Sequence, residues 1–293
     1  MSRKTGCWIV SLVLVCWAAL VVPASAQHFQ QLKGSLVSVS AGRNEVFGFD
    51  ANAAVWRLHP ATSSFVKIKN ASLAKIAVGG GTVSQLDEVW GLDANANVYR
   101  FDYTTSAFGP IPGVLSQITV GVGNQDKCHA YEVWGVNSDG GIFRYNYCTS
   151  GFDQINGLLS AVATGGGDVW GINSVGNIFH FNFAKQSFGS VPGVLTQIAV
   201  GVNDVWGVNS ADGVFRYDPT TGAVNNAGGN TLQVAAGGDG VWLIDTSNHI
   251  FRFDSSSASF VEVPGGLRSI AVGSGAGIFG VNFANKVFTF VRP

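Results

Sequence analysis

Two rows of ionisable residues recur at fixed distances from an aromatic residue, and their chemistry is the first thing to weigh. Ten residues after each aromatic at Phe47, Trp90, Trp134, Trp170, Trp206, Trp242 and Phe279 stand Arg57, Arg100, Arg144, His180, Arg216, Arg252 and Thr289. Two residues before it stand Glu45, Glu88, Glu132, Asp168 and Asp204. Placed on adjacent antiparallel strands with the same parity, an acid and a base face each other. The rows therefore predict a repeated ion pair, worth about 0–1 kcal/mol at a surface. An arginine beside an acid also suits hydroxyl-rich ligands, but repetition in nearly every copy marks the pair as part of the scaffold. A third row, Asp50, Asp93, Asn137, Asn173, Asn209, Asp245 and Asn282, follows each aromatic by three residues. Runs such as Asp93-Ala94-Asn95-Ala96-Asn97 offer oxygens to calcium, yet they lack the turn glycine and closing glutamate of an EF-hand loop. Asx side chains closing a hairpin turn account for them, and no metal site is expected.

Catalytic arrangements find little support. After the leader, the histidines are His28, His59, His129, His180 and His249, scattered over different positions of the repeat. No H-E-x-x-H, G-x-S-x-G or phosphate-binding loop occurs, and the repeated carboxylates are those already assigned to ion pairs. The expectation is a protein that is not an enzyme and needs no cofactor.

The elements that position these rows follow from the repeat. The aromatic anchors are spaced by 43, 44, 36, 36, 36 and 37 residues, giving seven copies, with six blades as the alternative count. Each copy holds four apolar runs of four to six residues separated by Gly, Asn, Asp, Ser or Pro. Such runs predict antiparallel strands joined by hairpins, with none long enough for a globular helix. Both faces of these strands are apolar, so each four-stranded sheet must be covered on both sides. Sheets packed face to face around an axis meet that demand, which predicts an all-β, seven-bladed β-propeller. The chain ends specify closure. Phe29 to Gly34 aligns with the outer strand at Phe260 to Gly265, while the C-terminal copy stops one outer strand short at Phe290. The N-terminal strand is expected to complete the last blade and leave no orphaned edge.

The blocks Val169-Trp170-Gly171-Ile172-Asn173, Ile178-Phe179-His180-Phe181 and Val191-Pro192-Gly193 with Leu195 to Gly201 recur with small changes along the chain. They resemble tectonin repeats, the β-propeller units of tachylectin-like and fungal tectonin lectins. The resemblance covers nearly the whole chain after the leader. It implies recognition of sugars, such as those of bacterial lipopolysaccharide or methylated glycans.

The first residues are read apart from the repeat. Arg3 and Lys4 precede an apolar run from Cys7 to Val22, and Ala24 and Ala26 offer small residues for cleavage. Residues 1–26 are expected to be a signal peptide cut after Ala26, leaving the propeller at 27–293, secreted or periplasmic, with no membrane span. The chain carries 17 Lys and Arg against 18 Asp and Glu; without Arg3 and Lys4 the balance is 15 against 18. No basic field invites nucleic acid. Charged residues make up 12% of the chain, against about 25% in an average domain, and glycine reaches 39 residues. That composition suits short strands and tight turns.

Symmetry breaks at the second and third copies, where the loop before the anchor is longer, Gly79 to Asp87 and Gly121 to Tyr131. The second carries Cys128, and the hairpin loop at the same end of the blade carries Cys148. In an oxidising compartment the two are expected to form a disulfide. Asp126, His129, Tyr131 and Tyr147 gather at this end and form the expected ligand-binding set, with rings for a sugar's apolar face and polar groups for its hydroxyls. The expected function is a secreted, non-catalytic, lectin-like protein recognising cell-surface glycans. An extracellular scaffold for protein contacts is the alternative, and a propeller enzyme such as a lyase the third. Asn70-Ala71-Ser72 is a glycosylation acceptor where the host performs that chemistry.

Overall fold

Period-two alternation puts one apolar set on each side of every strand, and turn residues break the strands every few positions. The computed structural model describes residues 27–292. The signal peptide expected over residues 1–26 lies outside the described residues. Twenty-eight strands, numbered in chain order, run through the described residues. The first sheet takes β1 (His28–Ser35), β2 (Ser38–Ala41), β3 (Val46–Phe49), β4 (Ala54–His59) and β5 (Ser64–Ser72) from the N-terminal end. Next come β6 (Lys75–Gly79), β7 (Glu88–Leu92), β8 (Asn97–Asp102) and β9 (Ala107–Val114), then β10 (Gln117–Asp126), β11 (His129–Val136), β12 (Gly141–Asn146) and β13 (Gly151–Leu158). They are followed by β14 (Ala161–Gly165), β15 (Asp168–Ile172), β16 (Asn177–Asn182) and β17 (Ser187–Val194), then by β18 (Gln197–Val200), β19 (Val205–Val208), β20 (Val214–Asp218) and β21 (Ala223–Gly228). The chain ends with β22 (Thr231–Gly237), β23 (Gly240–Asp245), β24 (His249–Asp254), β25 (Ser259–Gly266), β26 (Ser269–Val272), β27 (Ile278–Val281) and β28 (Lys286–Val291).

Five of the sheets are four-stranded meanders, β6–β9, β10–β13, β14–β17, β18–β21 and β22–β25. The remaining eight strands form one sheet in the order β2-β3-β4-β5-β1-β28-β27-β26. The innermost strands touch in sequence, β2 to β6, β10, β14, β18, β22 and β26, and β26 returns to β2. The sheets therefore close into a β-propeller. The N-terminal strand does what the sequence suggested. β1 lies antiparallel to β28, with His28, Phe29, Gln30 and Gln31 opposite Val291, Phe290, Thr289 and Phe288. Its burial pattern is the same as that of β25, the outer strand with which it aligned in sequence. Its other neighbour, β5, is held by a single parallel bridge, Lys33 to Ser64.

The core lies between sheets. All seven anchors are at most 3% exposed, and each of Trp90, Trp134, Trp206 and Trp242 meets an aromatic of the following sheet edge-on, Tyr145, Phe181, Phe253 and Phe290, at 4.7 Å between centroids. The glycine after the anchor admits a leucine from the connection to the innermost strand. A Cβ on Gly171 would fall 2.4 Å from Leu159 Cδ1, and one on Gly207 2.3 Å from Leu195 Cδ1. In the sixth register the sizes exchange: Leu243 replaces the glycine and buried Thr231 replaces the leucine. Volume at that layer is conserved, as dense packing requires.

The Asx row behaves as turn chemistry. Asp93 Oδ1 accepts from the amides of Asn95 and Asn97, both at 2.9 Å, and Asp50, Asn137, Asn173, Asn209, Asp245 and Asn282 repeat the pattern. The innermost strands line a central cavity of about 790 Å³, whose wall is mostly glycine, small side chains and backbone.

Candidate functional site

The ionic rows form, and they carry more partners than an isolated pair. In six of the registers the position ten beyond the anchor is paired directly with it, as in Trp134 with Arg144 and Trp170 with His180, and the seventh sets Phe279 against Thr289. Arg100 donates through Nε and Nη2 to Glu88 at 2.7 and 2.6 Å, and Arg144 does so to Glu132 at 2.9 and 2.6 Å. Arg57 meets Glu45, His180 meets Asp168 at 2.6 Å, and Arg216 Nε donates to Asp204 at 3.0 Å. The same acid accepts the anchor's indole N–H in Trp90, Trp134 and Trp170, at 2.9, 2.7 and 2.8 Å. Above the pair lies a ring of the following sheet: Tyr103 over Arg57, Tyr147 over Arg100 and Phe183 over Arg144, at 5.5, 5.2 and 5.4 Å. Each unit thus ties its two middle strands together and leans on its neighbour.

Depth varies along this ladder, which corrects the expected worth of the pairs. Arg216 and Asp204 are 46% and 29% exposed, so a surface value fits them. Arg144 and Glu132 are 3% and 0% exposed, a buried ion pair whose disruption costs far more. Burial pushes the Asp168 carboxyl up, but hydrogen bonds from His180 and Trp170 outweigh it and hold the group below the usual carboxylate range.

The four residues expected to bind ligand occupy one end of the β10–β13 sheet. A disulfide joins Cys128 to Cys148 with the Cα atoms 4.9 Å apart, and the Tyr147 amide donates to the Cys128 carbonyl at 2.8 Å. Asp126 is half-exposed and closes the turn, accepting from the Cys128 amide at 3.0 Å and pairing with His129 Nδ1 at 2.7 Å. The hydrogen bond from His129 keeps its carboxyl below the ordinary range. Tyr131 spans to the neighbouring sheet: its hydroxyl donates to the Leu86 carbonyl at 3.0 Å, and its ring lies so close to Gly80 that a Cβ there would meet Cδ1 at 2.5 Å. The two long loops therefore meet at Tyr131. Tyr147 sits deeper, 6.0 Å from the Tyr131 ring and edge-on to Tyr145 at 4.9 Å, with a buried hydroxyl that has no partner among the described residues. Burial raises both phenols above their ordinary value, so each remains a neutral hydroxyl.

Cross-linking across 20 residues removes loop entropy from the unfolded chain. Replacing Cys128 and Cys148 by Ser is expected to lower stability by about 3 kcal/mol in a calorimetric or denaturant titration. A melting temperature equal to that of the parent would show that the bond only pins a surface loop.

A second concave feature was not anticipated. The groove between the outer strands β5 and β9 encloses about 770 Å³ and is lined by Arg57, His59, Lys67, Lys69, Asn70 and Phe108. Alternate lysines at 67 and 69 on an outer strand were the visible sign of a basic stripe. Asn70, the acceptor of Asn70-Ala71-Ser72, is exposed beside it.

A family model for the tectonin domain matches residues 35–229 and again 195–292. The chain belongs to the tectonin family. A search of curated proteins by sequence found no match. Among solved structures, this tectonin propeller is similar to the β-propeller domain of Cps50 (Swd1) from Myceliophteria thermophila, with a TM-score of 0.69, 8% identity, and coverage of 91% of this chain and 100% of that one. It is similar to human WBSCR16 at a TM-score of 0.66 and 11% identity, covering 89% and 88% of the two chains. YCF48 bound to D1 peptide gives a TM-score of 0.66 at 12% identity, covering 93% and 99%. At such identities the likeness concerns the propeller fold alone.

Proposed function

We propose that this tectonin propeller is a secreted, non-catalytic carbohydrate-binding protein with seven blades, its glycan site at the meeting of the two long loops. The blade count takes the eight-stranded sheet as two blades that touch through the single Lys33 to Ser64 bridge. Secretion accords with the Cys128–Cys148 disulfide, a bond that persists in oxidising compartments. The observation that carries the glycan reading is the cluster at Tyr131 and Tyr147: two rings, one half-exposed carboxylate at Asp126, and a buried Tyr147 hydroxyl without a partner among the described residues, all at a place where the repeat is broken. Rings cover the apolar face of a sugar, the Asp126 carboxylate meets its polar edge, and a small rotation of the Tyr147 ring on binding brings its hydroxyl to the same edge. The disulfide lowers the ordering cost of binding.

A glycan array on the purified protein identifies the sugar, and calorimetry with that sugar tests the residues. Tyr131→Ala, which removes the ring, is expected to weaken binding about tenfold or more, a loss of about 1.4 kcal/mol. Tyr147→Phe, which keeps the packing and removes only the hydroxyl, is expected to act in the same direction. Parent affinity in both folded variants would move the site elsewhere, with the β5–β9 groove next in line.

The scaffold reading draws on a different observation. Val83 and Leu86, in the first long loop, are 89% and 53% exposed, and large exposed apolar side chains close together suit a protein partner. YCF48, of the same overall fold, has been solved with a D1 peptide. An array without hits, together with loss of a protein partner on Val83→Asp, would favour this alternative.

A further inference from the structure

The polar ladder fails in two registers, and the failures differ in kind. In the last one all three polar members change together: Phe279 has no indole N–H, Gly277 no carboxylate and Thr289 no guanidinium. Nothing is stranded there. In the register before it only the acid is lost. Gly240 stands where Glu88 and Glu132 stand, while Trp242 and Arg252 remain, directly paired across β23 and β24.

Trp242 is 1% exposed and its Nε1 has no acceptor among the described residues. Trp206 Nε1 shares that state, but there the guanidinium is satisfied by Asp204. Arg252 is not. Arg57, Arg100, Arg144 and Arg216 each have an acid and lie over rings, whereas half-buried Arg252 has neither among the described residues.

The surroundings bring a second guanidinium and leave room. Arg292 occupies the place, thirteen residues past the anchor, that Tyr103, Tyr147 and Phe183 occupy in other sheets and from which those rings cover the preceding arginine. Among the described residues its acidic partner is Asp239 at 3.6 Å, whose Oδ2 already accepts from the amides of Gly275 and Gly277 at 2.8 and 3.0 Å. Asp254, two residues beyond Arg252, feels its charge but accepts from the amide and hydroxyl of Ser256. Glu262 is registered with Phe251 and so points to the other side of the sheet. Gly240 is solvent-exposed, and a Cβ on it would meet a single heavy atom within 4 Å, Trp242 Nε1 at 3.8 Å.

We propose that this slot takes the carboxylate of an acidic sugar, which supplies from solution the group that Glu132 supplies within its own blade. Glu132 shows the geometry. One oxygen accepts from Trp134 Nε1 at 2.7 Å and Arg144 Nε at 2.9 Å, and the other from Arg144 Nη2 at 2.6 Å. A ligand carboxylate over Gly240 meets Trp242 Nε1 and the Arg252 fork in the same way, and Arg292 stands at the mouth to favour an anion. Recognition of a sugar here rests on the carbohydrate-binding reading above, but it uses a site separate from Tyr131 and Tyr147.

The test titrates sodium glucuronate, glucose and sodium acetate into the purified protein while following the Trp242 indole N–H resonance. Glucuronate is expected to shift it saturably, glucose to leave it unchanged, and acetate to bind at least tenfold more weakly than glucuronate. Arg252→Gln is expected to weaken glucuronate at least tenfold with little change in melting temperature, since the parent side chain has no ion-pair partner to lose. Trp242→Phe, followed by calorimetry, is expected to weaken it in the same direction. No shift with glucuronate, or parent affinity in Arg252→Gln, overturns the proposal; acetate binding as tightly as glucuronate overturns its sugar component. Array binding that depends on Tyr131 while glucuronate fails would sink this slot and leave the carbohydrate reading intact. Arg252-dependent glucuronate binding with no Tyr131-dependent glycan would keep this slot and remove the site at Tyr131 and Tyr147.

Discussion

Removing Gln27 to Lys33 is expected to open the ring, because these residues carry most of β1, the strand that completes the sheet of β26, β27 and β28. Four consecutive residue pairs to β28 are lost. Phe29, which meets Trp242 edge-on at 5.8 Å and Phe290 at 5.4 Å, and buried Leu32 go with them. Burial of two large apolar side chains is worth about 1.5–3 kcal/mol each, and each ladder hydrogen bond about 0.5–1.5 kcal/mol. The sum is comparable with the roughly 5–15 kcal/mol that separates a folded domain from its unfolded chain. In addition β28 becomes a bare edge with apolar residues beneath it, a template for pairing between molecules. Size-exclusion chromatography and thermal unfolding should show aggregation or a melting transition far below that of the parent. A truncated protein that stays monomeric with the parent's melting temperature would show that β1 is not what closes the ring.

The second large effect is expected at Glu132. In Glu132→Ala the guanidinium of Arg144, 3% exposed, loses both of its charged hydrogen bonds, and the Trp134 N–H loses its acceptor. Removing one partner of such a pair leaves an uncompensated buried charge and costs about 3–5 kcal/mol. The same change at Asp204, whose partner Arg216 is 46% exposed, is expected to cost about 0–1 kcal/mol, because water screens the stranded charge. Replacing Glu132 and Arg144 together by leucine should recover most of the loss. Urea denaturation of the parent and the three variants reads these differences directly, and equal losses in Glu132→Ala and Asp204→Ala would refute the depth argument.

Most of the scaffold was legible because its determinants are local. Alternating apolar residues, Asx residues at the hairpins and an aromatic anchor at a near-constant spacing each act within a few residues, so the strands, their antiparallel pairing and the repeat are written plainly in the chain. Closure was legible for the same reason: the segment at Phe29 looks like the outer strand at Phe260 wherever it happens to pair. The Cys128–Cys148 bond followed from the end of the blade at which two hairpin loops emerge. Arg252 was legible too, as the one arginine of its row without an acid before the anchor, although only comparison with the intact registers gives that absence a meaning.

What the residue order left open depends on how sheets lie against one another. The row of acids and arginines looks uniform in sequence, yet Glu132 is sealed and Asp204 is wet, a difference in depth that the spacing along the chain does not carry. The sequence offered Tyr131 and Tyr147 as rings for a sugar's apolar face, and only the fold shows Tyr131 tied to the Leu86 carbonyl and the Tyr147 hydroxyl sunk without a partner among the described residues. The basic groove between β5 and β9 exists only because two outer strands distant in the repeat are brought side by side. Pattern along a strand is a property of neighbours in the chain, whereas exposure and the company each charge keeps are properties of neighbours in space, and ring closure alone decides which those are.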